Sequence, residues 1–489
     1  MNSPTHLETL RELHGPRYRW WVLLTVMIGT MASIMSATIV NVALPDMSRV
    51  FTLGQERAQW MSAGFMAAMT ISMLTTPWLL ERYGYRRTYG SAITLLMLGG
   101  IGGGLSNAFE LVLVMRVAEG LAAGVLQPIP AIIVMHAFER HEQGKAMSVF
   151  GMGVVLAPAV GPSIGGVLVE AFGWRSIFFV VVPFCLAALV LLRRYLPHNA
   201  PGGAPVNAGG RRLDVAGLAL LSLAIVSLLN GMVHLHDASK AFGAGLMVLA
   251  LLTLVVFVWH QRRTAHPLMR LELFAHRQFA FGGCVAFIYG AALFGSTYLV
   301  PVFMQLALSL PPSQAGAVLL PAGLVLAVTI AITGRLADRL PVHLLVSAGL
   351  ALQSLSLLLM VSVGAGTALW LITLWAIVGR VGLGFVLPSL NLGAMRGLPS
   401  ALISHAASSI NFLRQLGGAV GVSLAGIFLE WRIQRHGAAL SAAGGDVQQA
   451  AAQLGAFHET FLLLAVIIAA AIAAAWRMRT PAPDRAVPF

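Results

Sequence analysis

Apolar residues run along this chain in blocks of roughly twenty or more, each closed by charged residues or by Gly and Pro. Blocks of that length match the thickness of a bilayer crossed as α-helix. Hydropathy read together with turn and charge punctuation predicts fourteen spans, at 18–43, 58–80, 89–108, 111–136, 146–170, 175–196, 213–234, 241–260, 279–305, 313–333, 342–363, 367–391, 401–429 and 457–477. Many of the 51 glycines fall inside these blocks, where small residues let helix backbones approach.

Composition agrees with the pattern. Of 489 residues 58% are hydrophobic and 10% charged, and the mean hydropathy is +0.82. A soluble chain carries roughly 25% charged residues, so the polar surface of a water-exposed fold is missing. The net charge of +13 sits in short basic clusters between blocks, the pattern of membrane topology and not of nucleic-acid binding. With the N-terminus inside, cytoplasmic segments hold 22 of the 31 Lys and Arg and outside segments six, leaving Arg116, Arg380 and Arg414 within spans. That bias predicts an even number of helices with both termini in the cytoplasm. Cys185 and Cys284 lie in apolar blocks and read as packing residues. No small-residue cleavage site follows the first block, which predicts a retained helix.

This organisation gives a cytoplasmic tail at 1–17, a six-helix bundle at 18–196, a loop and two inserted helices at 197–276, a second six-helix bundle at 277–480 and a tail at 481–489. The Pro/Gly-rich stretch 197–212 and the Ala/Gly/Gln-rich stretch 436–455 read as linkers. A weak repeat relates the bundles. Pro77-Trp-Leu-Leu-Glu81-Arg82-Tyr-Gly84 follows the second span, and Gly334-Arg-Leu-Ala-Asp338-Arg339-Leu-Pro341 follows the tenth. Two such halves around a central site are a common transporter design.

Four segments resemble one family. They are Thr38-Ile-Val-Asn41-Val-Ala-Leu-Pro45, Leu79-Leu-Glu81-Arg82-Tyr-Gly84-Tyr-Arg86-Arg87, the fifth span from Gly151-Met-Gly153 through Pro158 to Gly161-Pro162-Ser-Ile-Gly165-Gly166, and Asn411-Phe-Leu-Arg414-Gln415-Leu-Gly417-Gly418-Ala-Val-Gly421. In this order the chain resembles the fourteen-helix drug:proton antiporter branch of the major facilitator superfamily. The resemblance implies an all-α polytopic fold of two six-helix bundles plus two inserted helices, rocking about a central cavity. It implies export of small hydrophobic or amphipathic compounds against protons across a bacterial inner membrane. The driving force would be the proton gradient, with no cofactor and no metal. Partners would be a small-molecule substrate, protons and the lipid bilayer, and such exporters also admit a periplasmic adaptor protein. The alternative on the same fold is an exporter of one metabolite, lipid or siderophore, without proton coupling.

The resemblance also assigns roles. Glu81, Arg82, Gly84 and Arg86, with Asp338 and Arg339 in the second copy, correspond to a conformational latch. On the residues alone, Gly84 permits a tight turn and Glu81 can reach a helix N-terminus. Pro77 and Glu81 stand where the family usually has Gly and Asp. Pro158, Gly161, Pro162, Gly165 and Gly166 correspond to the antiporter helix, where the Gly-Pro step predicts a bend and Gly165-Gly166 close packing.

In the fourth span Arg116 and Glu119 lie three apart and share a face. A charge inside a span costs at least ~2.5 kcal/mol, which marks such residues as functional. The family usually has Gln where Glu119 stands, and an acid in the first span where this chain has Ser36. Serine cannot titrate, so Glu119 is the candidate proton carrier with Arg116 beside it. Burial and Arg116 act on its charge in opposite senses, and a permanent structural ion pair is the competing reading. Asn41, Gln127, Tyr298, Gln305, Asn411, Arg414 and Gln415 are the substrate-cavity candidates, with interhelical hydrogen bonding the alternative. There is no Gly-Lys-Ser/Thr phosphate loop and no Cys/His set with zinc spacing. The acids are scattered, which argues against a membrane-embedded enzyme.

Overall fold

The computed structural model describes residues 12, 14–52, 55–198, 212–234, 240–364, 366–436 and 447–479. The tail 481–489, most of the tail 1–17, most of the expected linker 197–212 and half of the expected linker 436–455 lie outside these residues. All regular elements among them are helical: α1 (Tyr18–Val50), α2 (Gln55–Ser72), α3 (Thr76–Leu105), α4 (Phe109–Leu126), α5 (Ile129–Ala137), α6 (Gln143–Phe172), α7 (Ser176–Phe179), α8 (Val181–Tyr195), α9 (Val215–His234), α10 (Lys240–Arg263), α11 (Arg277–Leu306), α12 (Pro312–Arg339), α13 (Val342–Met360), α14 (Leu369–Met395), α15 (Ser400–Arg435) and α16 (Val447–Trp476), besides short 3-10 turns.

Twelve helical segments among the described residues are long and apolar enough to cross a membrane. One of them, Trp60–Leu105, is 46 residues long and covers the second and third expected spans. At 1.5 Å per residue it is more than twice as long as a bilayer core is thick. The chain instead turns at Gly84, whose φ of 77° and ψ of 171° are open to glycine but strained for other residues. Thr88 donates to the Leu79 carbonyl at 2.9 Å across this turn, and the Tyr85 N–H donates to the His198 carbonyl at 3.0 Å. The 30-residue α6 covers the fifth expected span and is not among the twelve.

Proline sets two breaks inside expected spans. The fourth, 111–136, divides into α4 and α5 at Gln127-Pro128, because Pro128 and Pro130 cannot donate to carbonyls one turn earlier. The sixth, 175–196, divides into α7 and α8 at Val180, since Pro183 leaves the Phe179 carbonyl without its helical donor.

The described chain forms two compact units, Met1–Leu228 with Gly245–Leu271 and Pro399–Phe412, and Leu229–Ala244 with Glu272–Leu398 and Leu413–Phe489. In the first, α1 packs on α6 and α8, α2 and α3 on α4, and α3 on α8. Asp214, just before α9, joins α10 by accepting from Gln261 at 2.7 Å and lying 2.8 Å from His260 Nε2. In the second unit α11 packs on α14 and α16, α12 and α13 on α14, and α13 on α16. The same pairings therefore recur, with α2, α3, α4 and α8 answered by α12, α13, α14 and α16.

Small residues carry a close contact of α11 with α15. A Cβ at Gly417 would lie 2.0 Å from the Phe287 carbonyl oxygen, and one at Gly290 1.9 Å from that of Arg414. Backbone occupies both places, so neither contact relaxes by a rotamer change. Gly417→Ala is expected to destabilise the protein by about 1–3 kcal/mol through overpacking. Gly166→Ala, where nothing lies within 4 Å of the added carbon, is expected to leave stability unchanged. Thermal unfolding of the two purified variants, followed by fluorescence-detected gel filtration, checks the contrast.

Candidate functional site

The first unit holds a buried charge pair. Arg116 and Glu119 lie one turn apart on α4, with Arg116 Nη1 2.7 Å from Glu119 Oε2 and each side chain 1% exposed. Burial of both charges demands further partners. From α1, the Ser36 hydroxyl and carbonyl accept from Arg116 Nη1 at 2.9 and 3.2 Å, and the same hydroxyl donates to Glu119 Oε2 at 3.3 Å. From α2, the Met61 carbonyl accepts from Arg116 Nε at 3.3 Å, and the Phe65 ring centroid lies 4.3 Å from the guanidinium. Three helices thus converge on one guanidinium.

Room for Glu119 comes from α3. A Cβ at Gly99 would lie 2.6 Å from Glu119 Cγ, and one at Gly100 3.3 Å from Oε1. Glu119 Oε1 and Arg116 Nη2 are buried without a hydrogen-bond partner. Half of the carboxyl is therefore held by Arg116 and Ser36, and half faces glycine. Glu119 reaches from α4 the serine that stands where the resemblance leads to the expectation of an acid.

The helix expected to mark antiport, α6, packs along α1 around the same level. Added carbons at Gly161 would meet Thr38 Oγ1 at 3.0 Å and Met35 Cγ at 3.3 Å, and one at Gly165 would meet Ile39 Cγ1 at 2.6 Å. These contacts flank Ser36 on both sides. The close packing expected of Gly165-Gly166 is carried by Gly165 alone, because Gly166 faces open space. The helix runs unbroken through Pro158 and Pro162, whose side chains lie outside the described part.

Of the residues expected to form a latch, Glu81, Arg86 and Asp338 find partners far along the chain, whereas Arg82 finds them locally. Glu81 Oε1 lies 3.5 Å from Nε2 of His405, five residues into α15 and in the same unit. Arg82 stacks over Trp78 at 5.5 Å and Tyr83 at 5.7 Å, and Arg86 donates to the Arg193 carbonyl at 3.1 Å. In the second copy Asp338 lies 3.7 Å from Arg396, which also donates to the Ala337 carbonyl at 3.3 Å, while Arg339 is exposed.

The substrate-cavity candidates divide between the units. In the first, Asn41 accepts from Ser62 of α2 at 2.7 Å, Gln127 is buried, and Asn411 donates to the Ala407 carbonyl of its own helix at 2.9 Å. In the second, Gln415 is buried, Arg414 is partly exposed, and Tyr298 and Gln305 of α11 are exposed. Among the described residues no group of His, Cys, Asp or Glu is arranged to hold a metal ion. Sequence reasoning missed Met61, Phe65 and the Glu81–His405 contact. It also read Gly99 and Gly100 as general packing, although a glycine pair beside a span that carries an acid was the available signal.

Comparison with known proteins gives a consistent identity for this arrangement. A family profile described as Major Facilitator Superfamily matches residues 26–422. The chain is 28% identical over 457 residues to the putative multidrug resistance protein MdtD of Klebsiella pneumoniae, covering 92% of each chain. It is 28% identical over 411 residues to the multidrug resistance protein Stp of Mycobacterium tuberculosis, covering 83% of this chain and 75% of that one. Its fold is similar to the crystal structure of the human organic anion transporter MFSD10 (TETRAN), with a TM-score of 0.64 and 16% identity over 92% of this chain and 99% of the other.

The geometry predicts strong coupling between the two buried charges. Glu119→Leu leaves Arg116 buried without its carboxylate and is expected to cost about 3–5 kcal/mol, whereas Arg116→Leu/Glu119→Leu recovers most of that loss. A double-mutant cycle on thermal or denaturant unfolding measures the difference.

Proposed function

This chain belongs to the major facilitator superfamily, and we propose that it exports small hydrophobic or amphipathic compounds in exchange for protons. It is a multi-pass membrane transporter and not an enzyme. The observation that carries the proposal is the carboxyl of Glu119, buried inside a span and bonded to both Arg116 and Ser36. A buried carboxyl with a fixed cation on one side and an unbonded oxygen on the other is suited to take up and release a proton.

In this reading Glu119 is the proton carrier. When it is protonated, Ser36, Met61 and Phe65 still hold the Arg116 guanidinium in place. When it is ionised, Arg116 neutralises it. Release of the proton on one side of the membrane and uptake on the other would be tied to alternating access, with the outward movement of substrate in the opposite sense. The proton gradient is then the energy source, and no cofactor takes part. Glu81 with His405 and Asp338 with Arg396 would serve as latches of the two units. The named relatives support a drug-like substrate range.

Fourteen spans follow if Trp60–Leu105 is counted as two, on either side of Gly84, and α6 as one more. An even count with the charge bias of the loops supports both termini in the cytoplasm of a bacterium, in its inner membrane. Substrate reaching the outer face is where a periplasmic adaptor protein would join.

Glu119→Gln keeps the shape and the Ser36 contact but cannot carry a proton. Expressed at normal level, it is expected to lose efflux driven by an imposed pH gradient in inverted vesicles, while substrate exchange without a gradient persists. Full gradient-driven efflux by Glu119→Gln would leave the pair as structure only.

A further inference from the structure

The second unit repeats the charged corner of the first with one group missing. Its helix α14 takes the place of α4 in the pairing pattern, and the two share a register: Arg116-Val-x-x-Gly120 and Arg380-Val-x-x-Gly384. Arg380 Nη2 donates to Thr297 Oγ1 of α11 at 3.2 Å, as Arg116 Nη1 donates to Ser36 Oγ of α1 at 2.9 Å. The arginine and its hydroxyl partner recur, but Leu383 stands where Glu119 stands in the first unit. Among the described residues no carboxylate pairs with Arg380. The acids of this unit's spans are engaged elsewhere: Asp338 by Arg396, Glu430 by Gln434 and Glu459 by Arg432.

Access differs as well. Arg116 and Ser36 are sealed, whereas Arg380 is partly exposed and Thr297 exposed. Arg414, also partly exposed, backs onto Gly290 of α11, where an added Cβ would meet its carbonyl oxygen at 1.9 Å. Tyr289, next to that glycine, is fully buried. Charges inside spans persist where they face a partner or a water-filled cavity, and guanidinium offers the planar fork that fits an acidic group.

We infer that Arg380, with Thr297 beside it, binds the acidic group of an anionic amphiphile, so that the substrate supplies the carboxylate that Leu383 does not. This assigns a substrate class within the exporter reading and rests on it. The first unit neutralises its own arginine for the proton; the second leaves its arginine to the ligand.

The test is equilibrium binding of radiolabelled taurocholate and tetraphenylphosphonium to the purified full chain in nanodiscs, with no proton gradient. Wild type is expected to bind taurocholate saturably and in preference to tetraphenylphosphonium. R380Q is expected to weaken taurocholate by about tenfold or more, the loss of one charge-assisted contact, and to narrow or reverse the preference. L383E supplies an internal carboxylate and is expected to lose taurocholate binding; it stands as the second variant if R380Q is not monodisperse. Absence of saturable taurocholate binding in wild type, a preference for tetraphenylphosphonium, or unchanged taurocholate affinity in the variant that folds overturns the inference. Because binding is read without a gradient, a failure of proton coupling at Glu119 leaves this readout intact and is told apart from it.

Discussion

The buried contact of Arg116 with Glu119 constrains everything around it. Two charges removed from water recover little unless each remaining donor and acceptor is met, and losing one partner strands the other. The surrounding chain is arranged to that end. Ser36 reaches both side chains from α1, Met61 and Phe65 hold the guanidinium from α2, and Gly99 with Gly100 on α3 leave room for the carboxyl. Gly161 and Gly165 of α6 then fix α1 on either side of Ser36. A hydrophobic pair in this place would hold the helices as well, so stability alone is a weak reason for such a site. Its burial inside a transporter of the major facilitator superfamily is what motivates the proposed role as proton carrier.

The two units build on the same helix pairings yet use their shared arginine differently. Arg116 is sealed and neutralised by its own helix, whereas Arg380 bonds a threonine and stays accessible. One difference in the repeat, glutamate against leucine, separates the two corners. The repeat thereby carries the two proposals, a proton at one corner and a ligand at the other.

Much of this was legible in the sequence, and the parts that were not have physical causes. Block length and charge bias identify a polytopic membrane protein because lipid thickness and loop charge act on composition directly. Arg116 and Glu119 stand out because a charge in an apolar run is costly. The tight turn at Gly84 was legible from the glycine itself, but the breaks at Pro128 and Pro183 depend on single residues, and hydropathy averaged over a span smooths them away. The approach of Glu81 to His405 joins residues far apart in sequence, which no local pattern encodes. Ser36 drew attention as the absence of an acid; only the fold brings Glu119 within 3.3 Å of it. The Arg-Val-x-x-Gly register was present in both halves, but it gains meaning only once α4 and α14 have equivalent neighbours.

The central claim is that Glu119 exchanges its proton for substrate. Substrate-induced proton release from the purified protein, read with a pH-sensitive dye in weakly buffered solution, tests it most directly. The account predicts release on substrate addition to wild type and none from Glu119→Gln that still binds the same substrate. Equal release from both proteins, or none from wild type while substrate binds, would contradict it.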